Sequence, residues 1–202
     1  EAVRACYDTA VAFETPFISG KDSMFNDFKG YDENGKPVAI SILPTLLISS
    51  IGVMPDASKA VSLDAKIARD HIYVIGQTND NVGASEYYGL IGDQQGSRFV
   101  GNRVPLVDAK TNRAAYEKLA HAIDEGLIAS IQGINRGGLA VALAKTSMGG
   151  MLGMDITLAD LPGRFTRDDY ALFSESQGRV LVTVSPENCS RFENIMKGTP
   201  LG

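Results

Sequence analysis

Residues 173–196 read FSESQGRVLVTVSPENCSRFENIM. A polar turn gives way to an apolar run, and Arg179–Val184 predicts a strand, because β-branched side chains favour the pleated backbone. Ser185-Pro186-Glu187 then predicts a helix start. Proline presets a helical φ there and lacks only an N–H that the first turn leaves unbonded anyway. Cys189, Phe192 and Met196 follow at helical spacing and form one apolar stripe. Turn, strand and one-faced helix make a unit that needs further layers to close a core.

Those layers are legible upstream. His71–Gln77 (HIYVIGQ) predicts a strand ending at turn residues. Asp108–Glu125 predicts a helix, with Ala115, Leu119, Ala122 and Ile123 on one face, Asp108 as cap and Gly126 as terminator. Leu127–Ile131 reads as a short strand and Arg136–Met148 as a helix carrying Leu139, Ala142, Leu143 and Thr146 on one side. Met154–Leu158 reads as one more strand. The alternation predicts an α+β or mixed α/β layer fold, a mixed sheet with helices packed on it. Pro55-Asp56-Ala57-Ser58-Lys59 reads as a linker. Before it, residues 1–12 show helical spacing at Val3, Cys6, Tyr7 and Ala10. Residues 30–37 (GYDENGKP) read as a hairpin tip and residues 38–53 as a buried strand. One helix and two strands bury too little for a core, so this first third reads as half a domain, and the chain as a piece of a longer protein.

The chain has 202 residues, 44% hydrophobic and 21% charged, enough for a packed core. Its formal net charge of −5 argues against a nucleic-acid partner, which needs clustered Lys and Arg, and not against nucleotides. Two cysteines far apart, Cys6 and Cys189, make neither a disulfide framework nor a zinc spacing, and fit a reducing cytoplasm. The most apolar run, Ile40–Val53, is too short to span a bilayer. No signal peptide is expected.

Four stretches hold residues that could carry chemistry. In TPFISGKDSMFND (Thr15–Asp27), Gly20 lets a ligand approach the backbone and Lys21 offers a mobile charge suited to phosphate. Asp22 suits Mg²⁺, and Ser19 and Ser23 suit phosphoryl oxygens. A solvated turn is the competing reading, and the spacing is not that of a Walker A loop. GASEYY (Gly83–Tyr88) is a cleft loop or a plain helix cap at Ser85 with an early-turn carboxylate at Glu86. Gln132–Leu139 (QGINRGGL) joins strand to helix, and its glycines either expose N–H groups to an anion or allow tight packing. FSESQGR (Phe173–Arg179) either reads a substrate amide or hydroxyl with its polar groups or is a plain turn before the strand. Neither histidine, His71 or His121, has a triad-like setting, so no general base stands out.

In this order, TPFISGKDSMFND, LPTLLISSIG, GASEYYG, RGGLAVALAK and LFSESQGRVLVTV resemble the phosphoribosylformylglycinamidine synthase family of the aminoimidazole ribonucleotide synthetase superfamily, over essentially the whole chain. The resemblance implies two fused superfamily units. Residues 1–56 would end the second N-terminal-type domain, and 57–202 would form the second C-terminal-type domain. It implies a ligase of purine biosynthesis, inactive as this piece alone. ATP phosphorylates the amide oxygen of formylglycinamide ribonucleotide, and ammonia from glutamine displaces the phosphate. The implied cofactors are ATP and Mg²⁺. The implied partners are the rest of the same chain and a glutaminase domain or subunit, in the cytoplasm, with no nucleic acid and no membrane.

Residue by residue, the resemblance assigns Gly20 and Lys21 to ATP, Ser23 to substrate and Asp22 to the metal, with Asn26 close by. Lys21 stands where smaller relatives carry a metal-binding asparagine. The resemblance leaves an auxiliary nucleotide possible at Asn135, Arg136 and Ser176, with Arg136 open to a phosphate or simply a carboxylate and Glu175–Gln177 a structural or auxiliary copy of the first superfamily unit's substrate turn. At the auxiliary site Gly133 replaces a metal-binding Asp and Asn135 a serine, which weakens it. The alternatives are a non-catalytic stabilising module and another ATP-dependent member of the superfamily, of thiamine-monophosphate or selenophosphate type.

Overall fold

The computed structural model describes residues 1–21, 27–43, 45–96, 101 and 105–202, which divide into two units, Glu1–Pro55 and Asp56–Gly202. In the first unit, α1 (Ala2–Phe13) is followed by β1 (Phe28–Tyr31) and β2 (Pro37–Ile40). The second contains β3 (His71–Ile75), β4 (Thr78–Asn79), α2 (Glu86–Gln94), α3 (Ala109–Asp124), β5 (Ser130–Gly133) and α4 (Gly138–Gly150). It continues with β6 (Gly163–Arg164), α5 (Asp168–Phe173), β7 (Val180–Val184) and α6 (Cys189–Met196).

The first unit confirms the opening helix and the hairpin. β1 and β2 pair antiparallel, Phe28 opposite Ile40 and Tyr31 opposite Pro37. At the tip, one Asp32 carboxylate oxygen accepts the backbone N–H of Asn34 and of Lys36, both at 2.9 Å, and Gly35 takes φ +76°. The strand expected to continue through residue 53 does not form. β2 stops at Ile40, and residues 41–43 and 45–53 are irregular and exposed, Leu47 at 91% and Ile51 at 86%. An apolar run becomes a buried strand only where neighbours take its backbone groups and cover its side chains. A lone hairpin does neither. No described residue of this unit is buried.

In the second unit, β7 is the middle strand of an antiparallel sheet ordered β3-β7-β5 and is buried along its whole length. The pleat sends alternate side chains to opposite faces. Val180, Val182 and Val184 meet Ala115, Leu119 and Ala122 of α3 and Cys189, Phe192 and Met196 of α6. Leu181, with Val74 of β3, meets Leu139, Ala142 and Leu143 of α4 on the other face. The register agrees, since Val74 lies opposite Leu181 and Ile75 opposite Val180. Thr183 also points to the α4 side of the pleat, where its hydroxyl and that of Ser130 share a buried 2.7 Å hydrogen bond. Helices on both faces of one sheet confirm the predicted mixture of α and β layers. A second, two-stranded parallel sheet joins β4 to β6.

Two expectations shift. Met154–Leu158 forms no strand; Met154 and Leu158 pack against the α4 cluster without joining a ladder. The strand expected over Leu127–Ile131 begins at Ser130, while Leu127 and Ile128 fill the α3–α6 core. Beyond α6, the chain returns to the outer edge of β3: Val74 and Gly202 exchange backbone hydrogen bonds of 2.7 and 3.1 Å, and Gly76 N–H donates to Pro200 O at 2.9 Å. On the other flank, Ile131 N–H of β5 donates to Ser62 O at 3.0 Å. Among the described residues, no helix is long and apolar enough to cross a membrane.

Candidate functional site

Three of the four chemistry-bearing stretches come together where α2 and α4 begin. Ser85 caps α2, its hydroxyl accepting Tyr88 N–H at 3.2 Å and donating to Val82 O at 2.6 Å. Glu86 occupies the first turn and pairs with the Arg136 guanidinium from the loop before α4. That loop turns through Gly137 and Gly138, at φ +84° and +71°, where side-chain-bearing residues are strained. Gly138 is also jammed: a Cβ there would lie 2.6 Å from Ser174 O and 2.7 Å from Leu172 O. So Gly138 serves close packing of α4 against the end of α5 and Ser174.

Glu175 joins the starts of both helices. Its Oε1 accepts Glu86 N–H at 3.0 Å and Gly137 N–H at 2.9 Å. Helix N-termini carry partial positive charge, so one carboxylate answers two of them. Beneath it, Arg179 is 2% exposed. Its guanidinium donates from Nε to Ser176 O (3.0 Å), from Nη1 to Thr78 Oγ1 (2.9 Å) and from Nη2 to Ser174 O (2.5 Å). Burial pulls this guanidinium down to about 10, and the Glu175 charge opposes that fall. It stays a cation at neutral pH.

Ser176 is equally committed. Its buried hydroxyl accepts Asn79 N–H at 3.0 Å and lies 2.7 Å from Asn81 Oδ1 and 2.9 Å from Ser174 Oγ. On the outer side, α2 is tied to α5. Tyr87 donates to Asp169 at 2.5 Å, the Tyr88 and Tyr170 hydroxyls lie 3.0 Å apart, and Arg167 forks onto Asp169 at 2.8 and 2.6 Å. The Asp169 bond pushes the Tyr87 hydroxyl above its ordinary value.

Of the sequence candidates, Arg136 and Ser176 therefore belong to one constellation. Asn135 adjoins it, with its amide over Gly133, where a Cβ would come within 3.2 Å of the amide nitrogen. Gly20 and Lys21 lie exposed in the first unit, and a Cβ at Gly20 would meet nothing within 4 Å. Asp22, Ser23 and Asn26 fall outside the described residues. Among the described residues, no three His, Cys, Asp or Glu side chains gather as metal ligands. Sequence reasoning missed the organising roles of Glu175 and Arg179. An arginine just before a five-residue apolar strand was a faint signal, since a charge entering a buried strand needs partners. Nothing in the sequence pointed to Thr78 as one of them.

The fold and the site define a class. Residues 68–201 match the family model described as AIR synthase related protein, C-terminal domain, and the chain belongs to that family. Within it, the chain is 34% identical over 190 residues to the phosphoribosylformylglycinamidine synthase subunit PurL of Methanocaldococcus jannaschii, covering 93% of this chain and 25% of that one. The corresponding PurL of Caldanaerobacter subterraneus subsp. tengcongensis is 35% identical over 179 residues, covering 87% and 21%. The chain thus spans about a quarter of the length of these curated relatives. Thermotoga maritima PurL complexed with ATP superposes with a TM-score of 0.54 at 25% identity over 72% of this chain and 22% of that one. The same protein complexed with FGAR gives 0.66 over 96% and 30%, at 19% identity, a likeness of fold alone.

Proposed function

We propose that this chain is part of an ATP-dependent synthetase that converts formylglycinamide ribonucleotide and glutamine-derived ammonia to formylglycinamidine ribonucleotide. One observation carries the reading: 34% identity to a PurL subunit over 93% of the chain, well beyond the residues the family model matches. The chemistry is a leaving-group problem. An amide oxygen leaves poorly, and its phosphate ester leaves readily once ammonia attacks. The protein's work is then positioning and neutralising charge.

In this reading, residues 1–56 end the second N-terminal-type domain and 57–202 form the second C-terminal-type domain. Gly20 permits close approach of phosphate to the backbone, and Lys21 supplies the compensating charge. Ser23 meets the substrate. The carboxylate of Asp22 is a hard oxygen donor suited to Mg²⁺, which would neutralise phosphate charge when bound. A single protein carboxylate fits a metal that takes its other ligands from phosphates and water. The rest of the chain, and a glutaminase domain or subunit, complete the enzyme in the cytoplasm. The exposed apolar face of α1 supports missing partners, with Val3 81% and Tyr7 66% exposed.

The test uses the full-length parent. ADP release should require ATP, glutamine and formylglycinamide ribonucleotide together. Lys21→Ala should lower kcat/KM by about 10²-fold, the scale for removing one preorganised charge partner. Absence of substrate-dependent ADP release overturns the function, and unchanged turnover in Lys21→Ala overturns the role of the loop.

A further inference from the structure

The residues at the start of α4 do not fit the auxiliary nucleotide that the resemblance leaves open. A bound nucleotide needs donors to its phosphates. Here the Gly137 N–H already donates to Glu175, and Arg136 already forks onto Glu86. Ser176 is 3% exposed, and its hydroxyl, with one proton and two lone pairs, is surrounded by Asn79, Asn81 and Ser174. Charge argues the same way. The two arginines, Arg136 and Arg179, are balanced by the two carboxylates, Glu86 and Glu175, and an incoming polyphosphate would face both carboxylates at short range.

We propose that Glu175 is an internal counter-anion. It bridges the starts of α2 and α4, so the N–H groups that a phosphate would need at these helix starts already meet a protein carboxylate. Two elements are fixed by one side chain: α2 through Glu86 N–H and α4 through Gly137 N–H. The arrangement does not depend on the role given to the Lys21 loop. The unit would act as a rigid, ligand-free support, its helix starts satisfied from within.

The experiment uses the full-length parent and two readouts that need no turnover. Nucleotides bound per chain are counted by equilibrium dialysis with labelled MgADP in wild type and Arg136→Ala. Thermal unfolding is followed in wild type, Glu175→Gln and Glu175→Ala. Arg136→Ala should bind as many nucleotides as wild type with Kd within about 2-fold, well inside the tenfold step that marks a real contact. Tm should fall in the order wild type, Glu175→Gln, Glu175→Ala, with the glutamine variant down by about 1 °C, since the shift per kcal/mol shrinks as the chain lengthens. Loss of one nucleotide per chain in Arg136→Ala overturns the proposal. So does a Glu175→Gln protein that melts with wild type, and this isosteric variant decides the matter even where Glu175→Ala fails to fold.

Discussion

Replacing Arg179 by lysine keeps the charge and removes the fork. The guanidinium spends three different nitrogens on three acceptors, Ser176 O, Thr78 Oγ1 and Ser174 O, at 3.0, 2.9 and 2.5 Å. An ammonium is a single nitrogen and cannot stand within reach of three acceptors disposed around a planar group. It keeps one, and two are left unmade at a residue only 2% exposed. Hydrogen bonds to charged groups contribute about 1.5–3 kcal/mol each, so two lost bonds cost about 3 kcal/mol at the low end. For a chain of this size that is a Tm loss of about 6–12 °C. Circular dichroism during urea and thermal unfolding of Arg179→Lys measures it, and suits a chain without tryptophan. A cycle with Thr78→Val should return a coupling energy of about 1 kcal/mol for the Nη1 bond. If Arg179→Lys stays within about 0.5 kcal/mol of wild type, the range of a neutral surface change, the fork is not what holds the 174–179 turn.

Two further outcomes follow from local geometry. Gly138→Ala combines a positive φ with a Cβ pressed against the Ser174 and Leu172 carbonyls, and should cost about 2–4 kcal/mol in urea unfolding; a cost below about 1 kcal/mol would mean that α4 moves freely there. Burial, then the Glu187 charge, raise the Asp70 pKa from 3.8, against a backbone hydrogen bond from Ile67 and the His71 charge. The folded chain thus holds this proton more tightly than the unfolded one, so the group's contribution is greatest below 3.8 and is lost as pH rises toward the raised value. Asp70→Asn should therefore be more stable than wild type at pH 7 and much less so at pH 3.5 in urea unfolding; a gain equal at both pH values would refute the assignment.

Periodicity carried the second unit far. The α3 face, the Asp108 cap, the Gly126 stop and the stripe of α6 are all local patterns, and each appears where its residues place it. The failures share a cause. Residues 38–53 and Met154–Leu158 are apolar enough for strands, but a strand also needs an edge to bond to, and that information lies in other parts of the chain. The site divided the same way. Ser85 as cap and the glycines before α4 are readable from sequence, because capping and φ are local. That Glu175 reaches two helix starts, and Arg179 reaches Thr78 at a separation of 101 residues, is decided by tertiary packing and left no mark in any window of sequence.

The chain's return past β3 has a bearing on behaviour in solution. A β-strand at the margin of a sheet offers a row of free amides and carbonyls that any passing strand can take up. Here Pro200 and Gly202 occupy that row on one margin, and Ser62 interrupts it on the other. On each margin of this sheet a short, irregular stretch therefore takes up part of that row and shortens the template left for another strand.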